Sequence, residues 1–246
     1  MKFEHTEVFN FEGAFRGMRN PLASWHKSDS NFNKNDDCIT SNPEENCTDC
    51  EYFQGFGFPC FKIGENDMNL AKRLIAGGTE HRKFLRQIIV SVDITAPLYW
   101  WKEFDTYKVG TTANSTSTMH KLASTPITRE CFEMDDYENI EIETLYYEDT
   151  DEIAFDWYSN DFVDELIESL EAFRQKYNET KDKRYWKELI RWLPNGWLQT
   201  RTITMNYENI RSMYHQREHH KLVEWHAFCD WVKELPYAEE FLVSKI

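Results

Sequence analysis

The sequence predicts an α+β fold in which a mainly antiparallel sheet is flanked by helices, and three observations carry that expectation. Apolar residues recur at helical spacing in several separate stretches. Between them lie short runs that alternate apolar with polar residues or collect β-branched ones, the pattern of half-buried strands. Aromatic residues make up 15% of the chain, with 9 Trp and 12 Tyr, so one sizeable core or a large interface has to receive them. At 246 residues the chain reads as one domain over 1–246, carrying a polar, Cys-containing insertion at about 31–62.

Each element follows from local chemistry. The first thirty residues hold a short alternating, strand-like piece, then Arg16 and Arg19, then a polar turn through Ser28, Asp29 and Ser30. A helix is expected from Asn66, which can cap it, through Met68, Leu70, Ala71, Leu74 and Ile75 until Gly77-Gly78 stops it. EHRKFLRQIIVSVDI passes from helix-like to a β-branched strand that Pro97 ends. APLYWWKEFDTYK is a buried aromatic helix or strand, which its pattern alone leaves open. NIEIETLYY alternates as a half-exposed strand inside the acidic stretch 132–152, whose charge reads as a solvated face rather than a metal site. An amphipathic helix is expected over Asp161–Tyr177, a shorter one in RYWKELIRWL up to Pro194, and a strand in TRTITMN. Helices then run from Tyr207 through Arg217 and from Leu222 to Leu235, where Pro236 ends the second.

The formal net charge of -15, with no long run of basic residues, disfavours a nucleic-acid polymer as partner. No signal-type apolar segment opens the sequence, and no stretch approaches the roughly 18 apolar residues of a membrane span. The expectation is a cytoplasmic protein without membrane attachment.

The side chains that could carry chemistry are few. Ile210, Met213 and Tyr214 form an apolar stripe, and Arg217 falls on the same face at i+7. A guanidinium turned toward a core needs an anion, either one of the 43 acids of the chain or a carboxylate or phosphate of a ligand. Cys38, Cys47, Cys50 and Cys60 contain one C-x-x-C with two outlying partners, which could wrap a tetrahedral zinc; free thiols or a redox pair are the alternatives. His215 and His219 are helical neighbours read as solvent-facing. The hydroxyl- and amide-rich run FDTYKVGTTANSTSTMHK at 104–121 suits a ligand cradle or a capped turn. G-x-S-x-G, P-loop and G-x-G-x-x-G motifs are absent from the sequence.

In order along the chain stand Glu80-His81, a strand, Ala96-Pro97, an aromatic stretch, Asn114-x-x-Ser117, Leu193-Pro194, Thr204-x-Asn206 and Arg217. Over about 66–235 this order resembles the flavin-dependent thymidylate synthases. Their signature begins Arg-His-Arg and ends in Arg; here Thr106-Tyr107-Lys108 stands for the triplet and Met119 for the last arginine. Only Lys108 keeps a cation there, a point charge without the bidentate fork.

The resemblance implies reductive methylation of dUMP, or a related pyrimidine nucleotide, with methylenetetrahydrofolate as carbon donor, FAD as hydride relay and NADPH as reductant. It implies Arg217 and Ser117 as catalytic residues, the former polarising the pyrimidine. Arg191, Asn114, Ser115 and Ser117 would bind substrate with Arg217, and His81, Tyr107, Lys108 and Asn206 would bind the cofactor. It also implies a homo-oligomer, with a tetramer favoured. The alternative is a non-catalytic descendant that binds a nucleotide or a protein partner, which the altered triplet favours.

Overall fold

The computed structural model describes residues 1–32, 61–148 and 151–245. Cys38, Cys47, Cys50 and Cys60 lie outside the described residues, and with them the expected zinc site. The chain divides into two compact units, one of residues 1, 95–102 and 115–200, the other of residues 2–94, 103–114 and 201–246.

The second unit holds most of a four-stranded sheet. Its strands are β1 (Lys2–Phe9), β2 (Ile89–Pro97), β3 (Thr112–Ser115) and β6 (Leu198–Asn206), in the order β1-β2-β6-β3. β2 is the expected β-branched run. Val90, Val92, Ile94 and Ala96 are buried in alternation, as the period-two pleat requires. Asp93 accepts from Thr202 at 2.5 Å, and two residues further on Thr95 bonds Thr200 at 2.7 Å, so β2 and β6 run antiparallel.

Helix α1 (Phe11–Met18) buries Phe11, Ala14, Phe15 and Met18, an i, i+3, i+4, i+7 face. Phe11 meets Phe61 at 4.5 Å between ring centres and Tyr207 edge-on at 5.5 Å, while Phe15 and Phe84 stand edge-on at 5.8 Å. This aromatic cluster is the destination of much of the ring content. Helix α2 (Glu65–Ala76) begins one residue before the expected cap. Asn66 does not cap it: the carboxylate of Asp29 accepts from the backbone N–H groups of Asn66 (2.9 Å) and Asp67 (3.1 Å), satisfying first-turn donors from 37 residues away. The helix-like EHRKFLRQ segment is a short 3-10 turn over Lys83–Gln87 leading into β2. Asn31 and Lys62 exchange two backbone hydrogen bonds of 2.8 Å, closing the ends of the polar insertion against each other. Helices α7 (Tyr207–Arg217) and α8 (Val223–Lys233) complete the unit, and α7 has the expected boundaries.

The aromatic stretch whose pattern left two options is a helix, α3 (Leu98–Phe104), with Trp100, Trp101 and Phe104 buried. The first unit contains α4 (Thr118–Lys121), the hairpin of β4 (Glu141–Tyr146) and β5 (Ile153–Tyr158), and the helices α5 (Ser159–Thr180) and α6 (Lys183–Trp192). α5 extends the expected amphipathic helix by a few residues at each end. Leu170 and Leu189 pack with Leu122 and Ile127 into a small aliphatic core. No helix of the described residues is long and apolar enough to cross a membrane.

Candidate functional site

Helix α7 starts at a reciprocal cap. Asn206 accepts from the backbone of Asn209 at 3.0 Å, and the Asn209 side chain accepts from the backbone of Asn206 at 3.4 Å. Asn209 also donates to the carbonyl of Val109 at 2.7 Å, which ties the loop after α3 to the head of α7. Gly110 sits in that loop at φ +80°, and a Cβ there would come within 2.9 Å of Asn209 Oδ1, so glycine is required on both counts. Asn206, expected among cofactor ligands, is thus engaged as a helix cap.

The stripe on α7 is buried as its spacing predicts: Ile210 and Met213 are fully enclosed and Tyr214 nearly so. Arg217, one turn further, has 19% of its side chain exposed and finds its anion inside the chain. Nη1 donates to Glu103 Oε2 at 2.9 Å and Nε to the Tyr107 hydroxyl at 2.8 Å. The guanidinium lies 4.7 Å from the ring centre of Trp225 and 5.6 Å from that of Tyr107, both within cation-π range. The same Glu103 oxygen accepts from Trp225 Nε1 at 3.0 Å and stands 3.3 Å from His220 Nε2. Of the two partners open to Arg217, an acid of the chain is the one present. Arg217 Nη2 makes no hydrogen bond among the described residues, so one edge of the fork has donors to spare. Tyr107 donates onward to Gln216 Oε1 at 3.3 Å, and Lys108 is exposed without an ion pair among the described residues.

The hydroxyl-rich run divides into an edge strand and a cap. Asn114 and Ser115 lie exposed on β3. Ser117 caps α4, accepting from the backbone of His120 at 3.3 Å. Arg191, at the end of α6, pairs with Glu188 and is half exposed. Tyr107, Asn206 and Arg217 are therefore gathered around the head and tail of α7. Ser115 and Ser117 belong to the first unit with Arg191, where Ser117 is held as a helix cap and Arg191 by Glu188.

His81 belongs to a different place in the second unit. It borders a cleft of about 730 Å³ that Arg19, His26, Lys27, Arg73 and Lys83 also line, with Glu80 as its acidic residue. Arg19, which the sequence does not mark as a ligand, is one of the lining residues. Its side chain is 4% exposed, and Nε donates to Asp67 Oδ1 at 2.5 Å. Nη1 reaches the carbonyl of Ser24 at 3.4 Å, while Nη2 is buried with no hydrogen-bond partner. Asp67 is fully buried; burial pushes its carboxyl up, but hydrogen bonds from Ser28, Ser30 and Arg19 outweigh this and hold it below the usual range. A charged pair locked in place beside cations, with one donor unmet, is a wall suited to a multiply anionic group. The signal in sequence was the pairing of Arg19 with the serine-rich turn at 28–30, which needed the distant Asp67 to become interpretable. Among the described residues no group of three or more His, Cys, Asp and Glu side chains could hold a metal ion.

No protein-family model matches the chain, and no curated protein matches it. Solved structures do. The flavin-dependent thymidylate synthase ThyX from Helicobacter pylori, complexed with FAD and dUMP, aligns over 99% of this chain and 98% of its own, with a TM-score of 0.59 and 13% identity. A second structure of Thymidylate Synthase X from the same organism, also with FAD and dUMP, aligns over 99% and 98% with a TM-score of 0.58 and 14% identity. At that identity the likeness concerns the fold: this chain is a mixed helix and antiparallel-sheet protein whose architecture is similar, end to end, to that of ThyX.

Proposed function

We propose that this chain binds FAD through the cleft at His81 and a pyrimidine nucleotide beside Arg217, and that it methylates dUMP reductively with methylenetetrahydrofolate and NADPH. The observation that carries the reading is the His81 cleft, where four Lys and Arg side chains converge and a buried guanidinium nitrogen lacks a partner, on a fold similar to structures that hold FAD and dUMP. Its volume falls within the range of about 300–1,000 Å³ usual for cofactor sites. Arg19, Lys27, Arg73 and Lys83 would meet the diphosphate, and His81 would contact the cofactor from the opposite wall. The flavin, when bound, would supply the hydride chemistry. Arg217, within cation-π range of both Tyr107 and Trp225, would turn its Nη2 edge to a pyrimidine carbonyl and stabilise charge developing on the ring. Ser115, Ser117, Asn114 and Arg191 remain proposed substrate contacts, Ser117 with a catalytic part, and Tyr107, Lys108 and Asn206 proposed cofactor contacts. We place the working form as a homotetramer.

A second reading has its own observation. Glu103 already neutralises Arg217, and Thr106 and Met119 stand where the resembling family has arginines. That favours a descendant that binds a nucleotide or a protein partner without turnover. Purified chain titrated with FAD, then with dUMP, methylenetetrahydrofolate and NADPH, separates the readings. Flavin uptake with thymidylate formed supports the enzyme. Uptake or nucleotide binding without product supports the descendant. A chain that takes up neither ligand contradicts both.

A further inference from the structure

A second surface, in the unit of residues 115–200, carries an inference independent of flavin or nucleotide. Between Glu130 and Phe173 the sequence has 17 Asp and Glu and no Lys, Arg or His, leaving 26 acids against 28 Lys and Arg elsewhere. The entire net negative charge of the chain is thus concentrated in one segment. The β4–β5 hairpin lies in its middle, pairing Glu143 with Trp157 and Leu145 with Phe155. Leu145, Tyr146, Ile153 and Phe155 are each about half exposed, although an isolated two-stranded ribbon needs an apolar face covered to be stable.

Next to it runs a groove of about 760 Å³ lined by the aromatic Phe155, Trp157 and Tyr158 and the acidic Glu143, Asp156 and Glu165. Asp161, also in the lining, is occupied as a helix cap, accepting from the backbone of Tyr158 at 2.8 Å. Other acids of the segment are neutralised locally, Asp164 by Arg129 and Glu171 by Arg174. Glu143, Asp156 and Glu165 have no cationic partner among the described residues. Aromatic faces bounded by unpaired carboxylates form a seat for cations with apolar flanks.

We propose that this hairpin and groove dock a basic, amphipathic polypeptide segment of a partner protein, Lys or Arg entering the groove while its apolar residues cover Leu145 and Phe155. Charge complementarity selects the occupant. The same face of a second copy would bring like charges together, nucleic acids and anionic membranes are repelled, and a small polyamine would leave the apolar side chains bare.

The test uses the full chain and a fluorescein-labelled amphipathic peptide of Leu and Lys, read by fluorescence anisotropy, with a Ser and Lys peptide of equal charge and spermine as controls. The expected result is salt-sensitive binding that the Ser and Lys peptide does not match. It should weaken by about tenfold or more in a Glu143→Lys/Glu165→Lys variant. Phe155→Ser should lose affinity while circular dichroism stays unchanged; should that variant misfold, the exposed charge reversal still decides. Absence of binding, equal binding of the Ser and Lys peptide or full competition by spermine, or unchanged affinity in the charge-reversal variant, would overturn the proposal. So would self-association in sedimentation that the charge reversal abolishes, because the occupant would then be a second copy.

Discussion

Arg19 and Arg217 both hold a carboxylate, and their surroundings set them to different tasks. Arg19 and Asp67 are almost wholly enclosed, Asp67 is further bonded by two serines, and the guanidinium keeps a buried nitrogen without a partner beside other cations. Arg217 and Glu103 are partly open, and both charges are shared with the rings and donors of Tyr107, Trp225 and His220. An arginine serves an anionic ligand when its local acid leaves it donors to spare within a field of like charge. It serves local architecture when its acid and its stacking partners absorb the charge. The first description fits the cleft at His81; the end of α7 meets it only through the spare donors of Nη2.

The largest expected effect breaks the buried pair. Arg19→Met strands the Asp67 carboxylate in an enclosed site and should cost about 3–5 kcal/mol, read as a lower midpoint in urea unfolding. The double variant Arg19→Met/Asp67→Leu should recover much of that loss, whereas equal losses in both would contradict a paired charge. Next comes the rim of the cleft. Lys27, Arg73 and Lys83 line it. Arg73→Glu/Lys83→Glu should weaken FAD binding by about tenfold or more with stability changed by less than about 1 kcal/mol, checked by flavin fluorescence quenching.

At the other arginine, Arg217→Ala should abolish nucleotide binding with the fold retained. Glu103→Gln should instead strengthen dUMP binding by roughly three- to tenfold, because the acceptor remains and the competing charge goes. Calorimetric titration reads both, and unchanged affinity in the two variants would make Arg217 purely architectural.

The smallest effect is a pH dependence in the other unit. Hydrogen bonds from Arg174, with lesser ones from the backbone of Ile127 and from Gln175, overcome burial and hold Glu171 at about 2, against 4.5 for an ordinary glutamate. A depressed carboxylate stabilises above its unfolded value, so this contribution is complete above about pH 4.5 and is lost as pH falls toward about 2. Glu171→Gln should flatten thermal stability across that window; an unaltered acid limb would exclude Glu171 as its source.

Much of this architecture was legible beforehand because it rests on local periodicity. The β-branched run at 88–94, the stripe on α7 and the amphipathic face of α5 each declare their element through spacing, and α7 has the expected boundaries, Tyr207–Arg217, although the Asn206 cap that starts it was not foreseen. What stayed hidden depends on separation along the chain. The acceptor that caps α2 comes from Asp29, and the acid that meets Arg217 lies 114 residues earlier in an aromatic stretch whose pattern could not choose between helix and strand. Arg19 was visible only as a cation before a polar turn; its burial depends on Asp67, 48 residues on. The hydroxyl-rich run announced hydrogen bonding, but composition does not say whether Ser117 serves a ligand or a helix end.

The most direct test is an absorbance and fluorescence titration of purified wild-type chain with FAD alongside Arg73→Glu/Lys83→Glu. Saturable flavin uptake by the wild type, much reduced in the variant, is the expected result. A colourless wild-type protein that leaves added FAD unquenched, or equal uptake by both proteins, would contradict a cofactor seat in the His81 cleft.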